Sequence, residues 1–369
     1  MTGVRTDRGE GVVTTTDETA PVDQATVDRY RQQTLADLAA AMSSVLVHIG
    51  DRLGLYAAMG DSRPVTSAAL AERTGLAERY VREWLHAMAA SGWVTYDPRD
   101  RTFTLPPERA VLVADEDAPT FMLGGFDLVG AAWLDVDKVV DAFRTGNGIE
   151  RHERHPLLFQ GSERFFRPGY QRNLVATWLP SLDGVADRLQ NGARAADVGC
   201  RHGAATLLLG AAYPASTFVG YDYDPRSVAT ARDRLSGTGL ANVSFEVADA
   251  SEFPGEYDVV FMFDCLHDMV DPVRVAGHVR GALRDGGAFV LVEPNAADAP
   301  EENHHAMGRL LYAGSVAICL PDALGDGHGA GLGTQAGPAR LTSVLAEAGF
   351  GSVRVAARTG VNLVVEARP

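Results

Sequence analysis

The sequence predicts an α/β protein in which an all-helical, winged-helix N-terminal domain precedes a Rossmann-like, seven-stranded C-terminal domain. Three observations carry this reading. Past Arg194, strand-length apolar runs alternate with helical stretches. Between Val65 and Tyr96 the pattern is short strand, helix, glycine turn, helix, strand. Acidic residues also close four successive C-terminal strands, at Asp197, Asp222, Asp249 and Asp264.

The elements follow in order. Residues 1–26 are rich in Thr, Asp, Glu and Gly and are expected to be a disordered tail. Residues 27–110 form the winged-helix and dimerisation domain. Its helical stretch Val27–Met59 carries more apolar surface than a monomer of this size needs, which predicts a homodimer through residues 27–120. Ser67–Gly75 and Glu78–Ala90 are the paired helices, and Asp97-Pro98-Arg99-Asp100 is the wing tip. Residues 111–190 are a helical, aromatic-rich linker. Its Phe121, Phe126, Trp133, Phe165, Phe166, Tyr170 and Trp178 either wall an acceptor pocket or fill the core. Residues 191–369 hold the strands AADVG, TFVGYD, VSFEVAD, YDVVFMFD and AFVLVEP, then a closing antiparallel hairpin of Ser352–Ala357 and Val361–Ala367.

Bulk properties narrow the function. At 369 residues, with 46% hydrophobic content, the chain is long enough for more than one core. A formal net charge of −15 opposes binding to nucleic acid or an anionic membrane. The winged helix has no local excess to offset it. Between 61 and 101, Asp61, Glu72, Glu78, Glu83, Asp97 and Asp100 balance Arg63, Arg73, Arg79, Arg82, Arg99 and Arg101. Cys200, Cys265 and Cys319 are far apart, arguing against a zinc site or a disulfide framework and for a reducing cytoplasm. The N-terminus lacks an apolar leader core, and no 18-residue apolar run is present.

The candidate ligand site lies at the carboxyl edge of the sheet. The first strand ends in Asp197-Val198-Gly199-Cys200-Arg201-His202-Gly203 and runs into a helix, a turn that lets backbone approach a ligand. Asp222, 23 residues past Gly199, is placed to accept ribose hydroxyls, and Asp249-Ala250 to meet an adenine. Asp222 read alone is also consistent with the start of the next helix. The turn does not match the G-x-G-x-x-G fingerprint of NAD sites.

With D-V-G-C-x-H-G, G-Y-D-Y-D-P, V-A-D-A and the final strand pair in order, residues 194–369 resemble class I S-adenosylmethionine (SAM)-dependent methyltransferases. From about residue 35 the chain resembles the bacterial small-molecule type with a winged-helix domain. F-D-C-L-H-D at 263–268, Glu293-Pro294 and Gln335-Ala336-Gly337 suit that group. The resemblance implies SAM as cofactor, held by Asp197, Gly199, Cys200, Gly203, Asp222, Tyr223, Asp249, Ala250 and Asp264. It implies His267 as general base toward a small, hydroxylated, possibly aromatic acceptor, with Asp268 or Asp264 orienting it. His267 as a mere pocket-lining residue is the other reading.

Arg201 departs from the family, which has glycine there. A solvent-facing Arg201 at negative φ predicts that Arg201→Gly binds SAM equally or more tightly. An inward Arg201 pairs with the cofactor carboxylate or blocks the pocket. This departure motivates the alternative of a methyltransferase fold repurposed for other chemistry, and the winged helix motivates that of a transcription regulator. His304 and His305 are placed in a helix, where adjacent residues do not share a face, so no metal site is expected. The six glycines at 325, 327, 329, 331, 333 and 337 mark either a lid over the acceptor or a surface loop.

Overall fold

The computed structural model describes residues 22–369; the tail expected over 1–26 lies outside them up to residue 21. Its last part is helical instead. The first helix spans Gln24–Arg52 because Asp23 caps it, its carboxylate accepting from the Ala25 and Thr26 amides.

The winged helix is built by local rules. Thr66 accepts from Ala69 N to start the helix Ser67–Thr74, and Gly75, at φ 70°, ends it in the left-handed conformation. The second helix is Glu78–Ala90, and the wing is the antiparallel pair β1 (Thr95–Asp97) and β2 (Thr102–Thr104). Val65 bridges to Phe103 and closes the unit over a core that includes Tyr56, Leu70, Trp84, Leu85 and Met88.

Seven strands follow: β3 (Arg194–Val198), β4 (Thr217–Asp222), β5 (Val243–Val247), β6 (Tyr257–Phe263), β7 (Leu283–Pro294), β8 (Ser352–Arg358) and β9 (Asn362–Arg368). They form one sheet in the order β5-β4-β3-β6-β7-β9-β8. The first five are parallel, and β9 runs antiparallel between β7 and β8. Side chains alternate between two cores. Val259, Phe261, Val290 and Val292 face one layer, while Val260, Met262, Phe289 and Leu291 face the other. The first core is covered by Leu174, Trp178 and Leu179, which follow the helix Leu157–Asn173. The linker is thereby packed on the sheet, and this helix is brought over the carboxyl end of β3. The order reverses around β3, so the crevice between β3 and β6 is the switch point where open α/β sheets take ligands.

One expectation is revised. His304 and His305 precede the helix Ala306–Gly314. His305 is its cap, with Nδ1 accepting from Gly308 N, and both side chains are exposed. The glycine-rich stretch, read as a lid or a surface loop, is tied to its neighbours: Gly148 N donates to Gly325 O and Ala330 N to Val270 O. No helix among the described residues is long and apolar enough to cross a membrane.

Candidate active site

The turn after β3 is shaped by Asp222. Its Oδ2 accepts from Arg201 N at 2.9 Å and its Oδ1 from Asp224 N at 3.0 Å. One carboxylate therefore holds the loops after β3 and β4 together, and each oxygen retains acceptor capacity. Two glycines in the turn are required for different reasons. Gly199, at φ 77°, lines the cavity and has Cys265 Sγ 2.8 Å from where a Cβ would stand. Gly203, at φ 78°, has the Phe245 ring at 2.5 Å from that point and is absent from the cavity wall. Its role is the close packing of the helix Ala204–Ala212 on β5.

A narrow cavity, open to solvent, lies between this turn and the helix Leu157–Asn173. Asp197, Gly199, Cys200 and Arg201 form one wall; Glu163, Phe166 and Tyr170 form the other. Phe166 and Tyr170 are thus set against the turn after β3, whereas the sequence offered acceptor wall or core for them. Nothing in the residue pattern of that helix marked Glu163 or Ser162 as cavity residues, because their position depends on how the linker packs.

Arg201 differs from expectation. Its φ is +51°, in the left-handed region that costs a side-chain-bearing residue about 1–2 kcal/mol. The side chain turns inward. Nη2 donates to Asp264 O at 2.7 Å, and the guanidinium lies 5.2 Å from the Phe166 ring centroid. Asp268 is 3.7 Å away. The amide bond to Asp222 and these side-chain contacts hold the conformation.

The other expected cofactor residues separate into two groups. Asp197 is buried at the cavity, with Oδ2 accepting from Thr206 Oγ1 at 2.6 Å and Oδ1 without a partner. Burial pushes its carboxyl up to about 7. Asp249, Ala250 and Tyr223 lie beyond the cavity, along the ends of β4 and β5. Asp249 is exposed and accepts from Ser251, and Tyr223 is half-exposed. Asp264 is fully buried and turned from the cavity: its carboxylate accepts from Tyr170 Oη at 3.0 Å and Asn362 Nδ2 at 2.8 Å. Burial, with Glu293 nearby, raises it to about 7. What Asp264 presents toward the site is its backbone carbonyl, used by Arg201.

His267 sits in the short 3-10 turn Leu266–Asp268 and is 2% exposed. Nδ1 is hydrogen-bonded to Glu293 Oε2, and Glu293 Oε1 accepts from Leu266 N at 2.9 Å. Glu293, at the end of β7, is the orienting residue that sequence reasoning did not assign. The Glu-Pro ending a strand beside L-H-D was its only signal. Nε2 lies 3.2 Å from Asp268 Oδ1. Burial alone would depress the imidazole, but the Glu293 and Asp268 carboxylates override it and raise it well above the ordinary value. Two further cations frame the turn: Arg151 is 3.9 Å from Asp268 and 3.6 Å from Asp322, and Arg154 is 2.9 Å from Asp322.

His267, Asp268 and Cys319 offer atoms within 4.8 Å of one another. Arg151 and Arg201 beside Asp268 supply positive charge that opposes a metal cation there, and Glu293 already holds the imidazole.

The fold thus brings the glycine turn after β3 and a positioned histidine to one edge of the sheet. Comparison with known proteins narrows this. Residues 40–114 match the model of the Rv2258c-like winged HTH domain, and residues 189–349 that of a methyltransferase domain. The trans-aconitate 2-methyltransferase of Deinococcus radiodurans is 29% identical over 175 residues, 47% of this chain and 63% of that one. The acetylserotonin O-methyltransferase of Mus musculus is 29% identical over 295 residues, 70% of this chain and 72% of that one. The crystal structure of human N-acetylserotonin methyltransferase in complex with SAM superposes with a TM-score of 0.67 at 19% identity, covering 94% of this chain and 98% of that one. The match to the Deinococcus relative thus spans less than two thirds of its length. Residues 189–349 thus read as a methyltransferase domain that follows an Rv2258c-like winged HTH domain.

Proposed function

We propose that the protein is a methyltransferase that uses SAM to methylate an oxygen of a small hydroxylated acceptor, with His267 as general base. The observation that carries this reading is the Glu293–His267 pair at the sheet edge, joined through Asp268 to the cavity-lining Arg201. The cavity suits a zwitterionic cofactor end. Asp197 Oδ1 is an unpartnered buried acceptor, and Arg201 Nε and Nη1 are unpartnered buried donors. Asp197, Gly199, Cys200 and Arg201 would hold that end, Asp222 the ribose, and Tyr223, Asp249 and Ala250 the base. When bound, SAM supplies an electrophilic sulfonium methyl group. Glu293 fixes the imidazole through Nδ1, leaving Nε2 to take the acceptor proton once Asp268 yields its place. Burial of the site favours positioning over bulk water.

The test is release of S-adenosylhomocysteine (SAH) from SAM in the presence of a panel of phenols and other hydroxylated acids and amides. Acceptor-dependent SAH is expected. A folded protein that binds SAM yet yields none with any hydroxyl acceptor, and does so with amines, would remove the oxygen assignment.

Two further expectations arise here. Asp222→Ala is expected to weaken SAH binding by about 1.5–3 kcal/mol, the value of charge-assisted hydrogen bonds, read by calorimetry. Unchanged affinity in the folded variant would remove Asp222 from the ribose contact. The protein is also expected to be a homodimer. Tyr30, Leu35, Leu38 and Met42 on the first helix are exposed, as are Trp133 and Phe143 beyond the expected 27–120 range. So large an apolar surface needs a partner. Light scattering should give about twice the 39.3 kDa chain mass; a monomer at micromolar concentration would contradict this.

The winged helix supports an assembly role more than a DNA-binding one. On its second helix Arg79 pairs with Glu83 and Arg82 with Glu78, so these cations are already matched by neighbouring carboxylates.

A further inference from the structure

The Arg201 guanidinium is incompletely partnered. Its nearest carboxylate, Asp268, is 3.7 Å away, and its one side-chain hydrogen bond goes to a neutral carbonyl, Asp264 O. Nε and Nη1 are buried without an acceptor. A guanidinium in this state is costly unless an anion meets it. On the same wall of the cavity Asp197 Oδ1 is an acceptor without a donor, next to the backbone of Gly199 and Cys200. One wall thus offers a guanidinium with two unused donors beside a carboxylate with one unused oxygen.

We propose that Arg201 reads the α-carboxylate of the cofactor's amino-acid end while Asp197 takes its α-ammonium, so that this turn discriminates for the intact amino acid by charge. The inference rests on the SAM-binding reading above. It takes the inward alternative that the sequence left open, in which Arg201 pairs with the cofactor carboxylate, and reverses the expectation that Arg201→Gly binds equally or more tightly. It also explains why a residue with a Cβ persists at φ +51° where glycine is free of strain. Guanidinium suits the task because it stays charged when buried and presents several donors in a fixed plane.

The experiment is calorimetry of wild type, Arg201→Met and Arg201→Gly with two ligands: SAH, and 5′-methylthioadenosine, which has the nucleoside and thioether without the amino-acid group. Arg201→Met keeps an apolar chain against Phe166, and Arg201→Gly suits the positive φ, so one variant covers a folding failure of the other, as judged by thermal unfolding. Wild type is expected to bind SAH more tightly than methylthioadenosine. Both variants should lose about 10–150-fold in SAH affinity, the value of one charge-assisted contact, while methylthioadenosine affinity stays within about threefold. SAH affinity that is unchanged or improved overturns the proposal. So does an equal loss for both ligands, which makes Arg201 a support of the loop and not a reader of the carboxylate. Wild type that binds neither ligand defeats the SAM-binding reading itself, an outcome separable from the others because it appears without any substitution.

Discussion

His267→Ala is expected to lower turnover by about 10²–10⁴-fold, the usual contribution of a positioned acid–base group, with SAH affinity little changed. The imidazole lies outside the wall formed by Asp197, Gly199 and Cys200, so its loss should spare the cofactor end. The pH profile separates this role from a structural one. Glu293 and Asp268 raise His267 well above its ordinary value near 6.5 despite burial. A base must first lose its proton, so activity should rise with pH through a limb above 6.5. Asp268→Asn removes one of the raising carboxylates and should move that limb down. The same pairing has the opposite sign for stability. A histidine raised on folding stabilises the protein fully below its unfolded value and ceases to do so as pH rises through the folded one. A variant with an acid limb identical to wild type would detach Asp268 from His267. A His267→Ala enzyme within about threefold of wild type would end the base assignment.

Gly203→Ala is expected to destabilise the protein by about 2–5 kcal/mol. Left-handed backbone costs alanine about 1–2 kcal/mol, and overpacking adds about 1–3 kcal/mol, since the new Cβ would stand 2.5 Å from the Phe245 ring. Phe245 is buried at 3% exposure and also lies 2.5 Å from the Cβ position of Gly220, so it cannot retreat in that direction. Chemical denaturation measures the loss. A change below about 0.5 kcal/mol would show that the helix after β3 can shift away from the sheet, and would return Gly203 to the ligand-approach role read from sequence.

The sequence by itself determined the elements whose causes are local. Thr66 and Gly75 mark one helix of the winged pair, and Asp224-Pro225 starts the helix after β4. Period-two alternation in β6 and β7 assigns alternate residues to opposite faces. The acidic strand ends and the glycine turn also placed the candidate site at the edge where the cavity lies, because the carboxyl ends of parallel strands share one edge whatever the details of packing. Tertiary structure alone decided which of those carboxylates meet the cavity. Asp197 and Asp264 look equivalent as strand-ending acids. Yet Asp197 keeps a free oxygen at the cavity, while Tyr170 and Asn362, 94 and 98 residues away in sequence, take both oxygens of Asp264. Glu293 was likewise recognisable only as part of a strand end until the turn Leu266–Asp268 was laid against it. Arg201 is the clearest case. Its backbone angle and inward rotamer are set by Asp222, Asp264 and Phe166, from three different elements, so no window of sequence around the turn contained the forces that decide it. Local propensities and periodicity act over a few residues, whereas the direction of a buried charge depends on the acceptors that distant segments bring within about 3–4 Å.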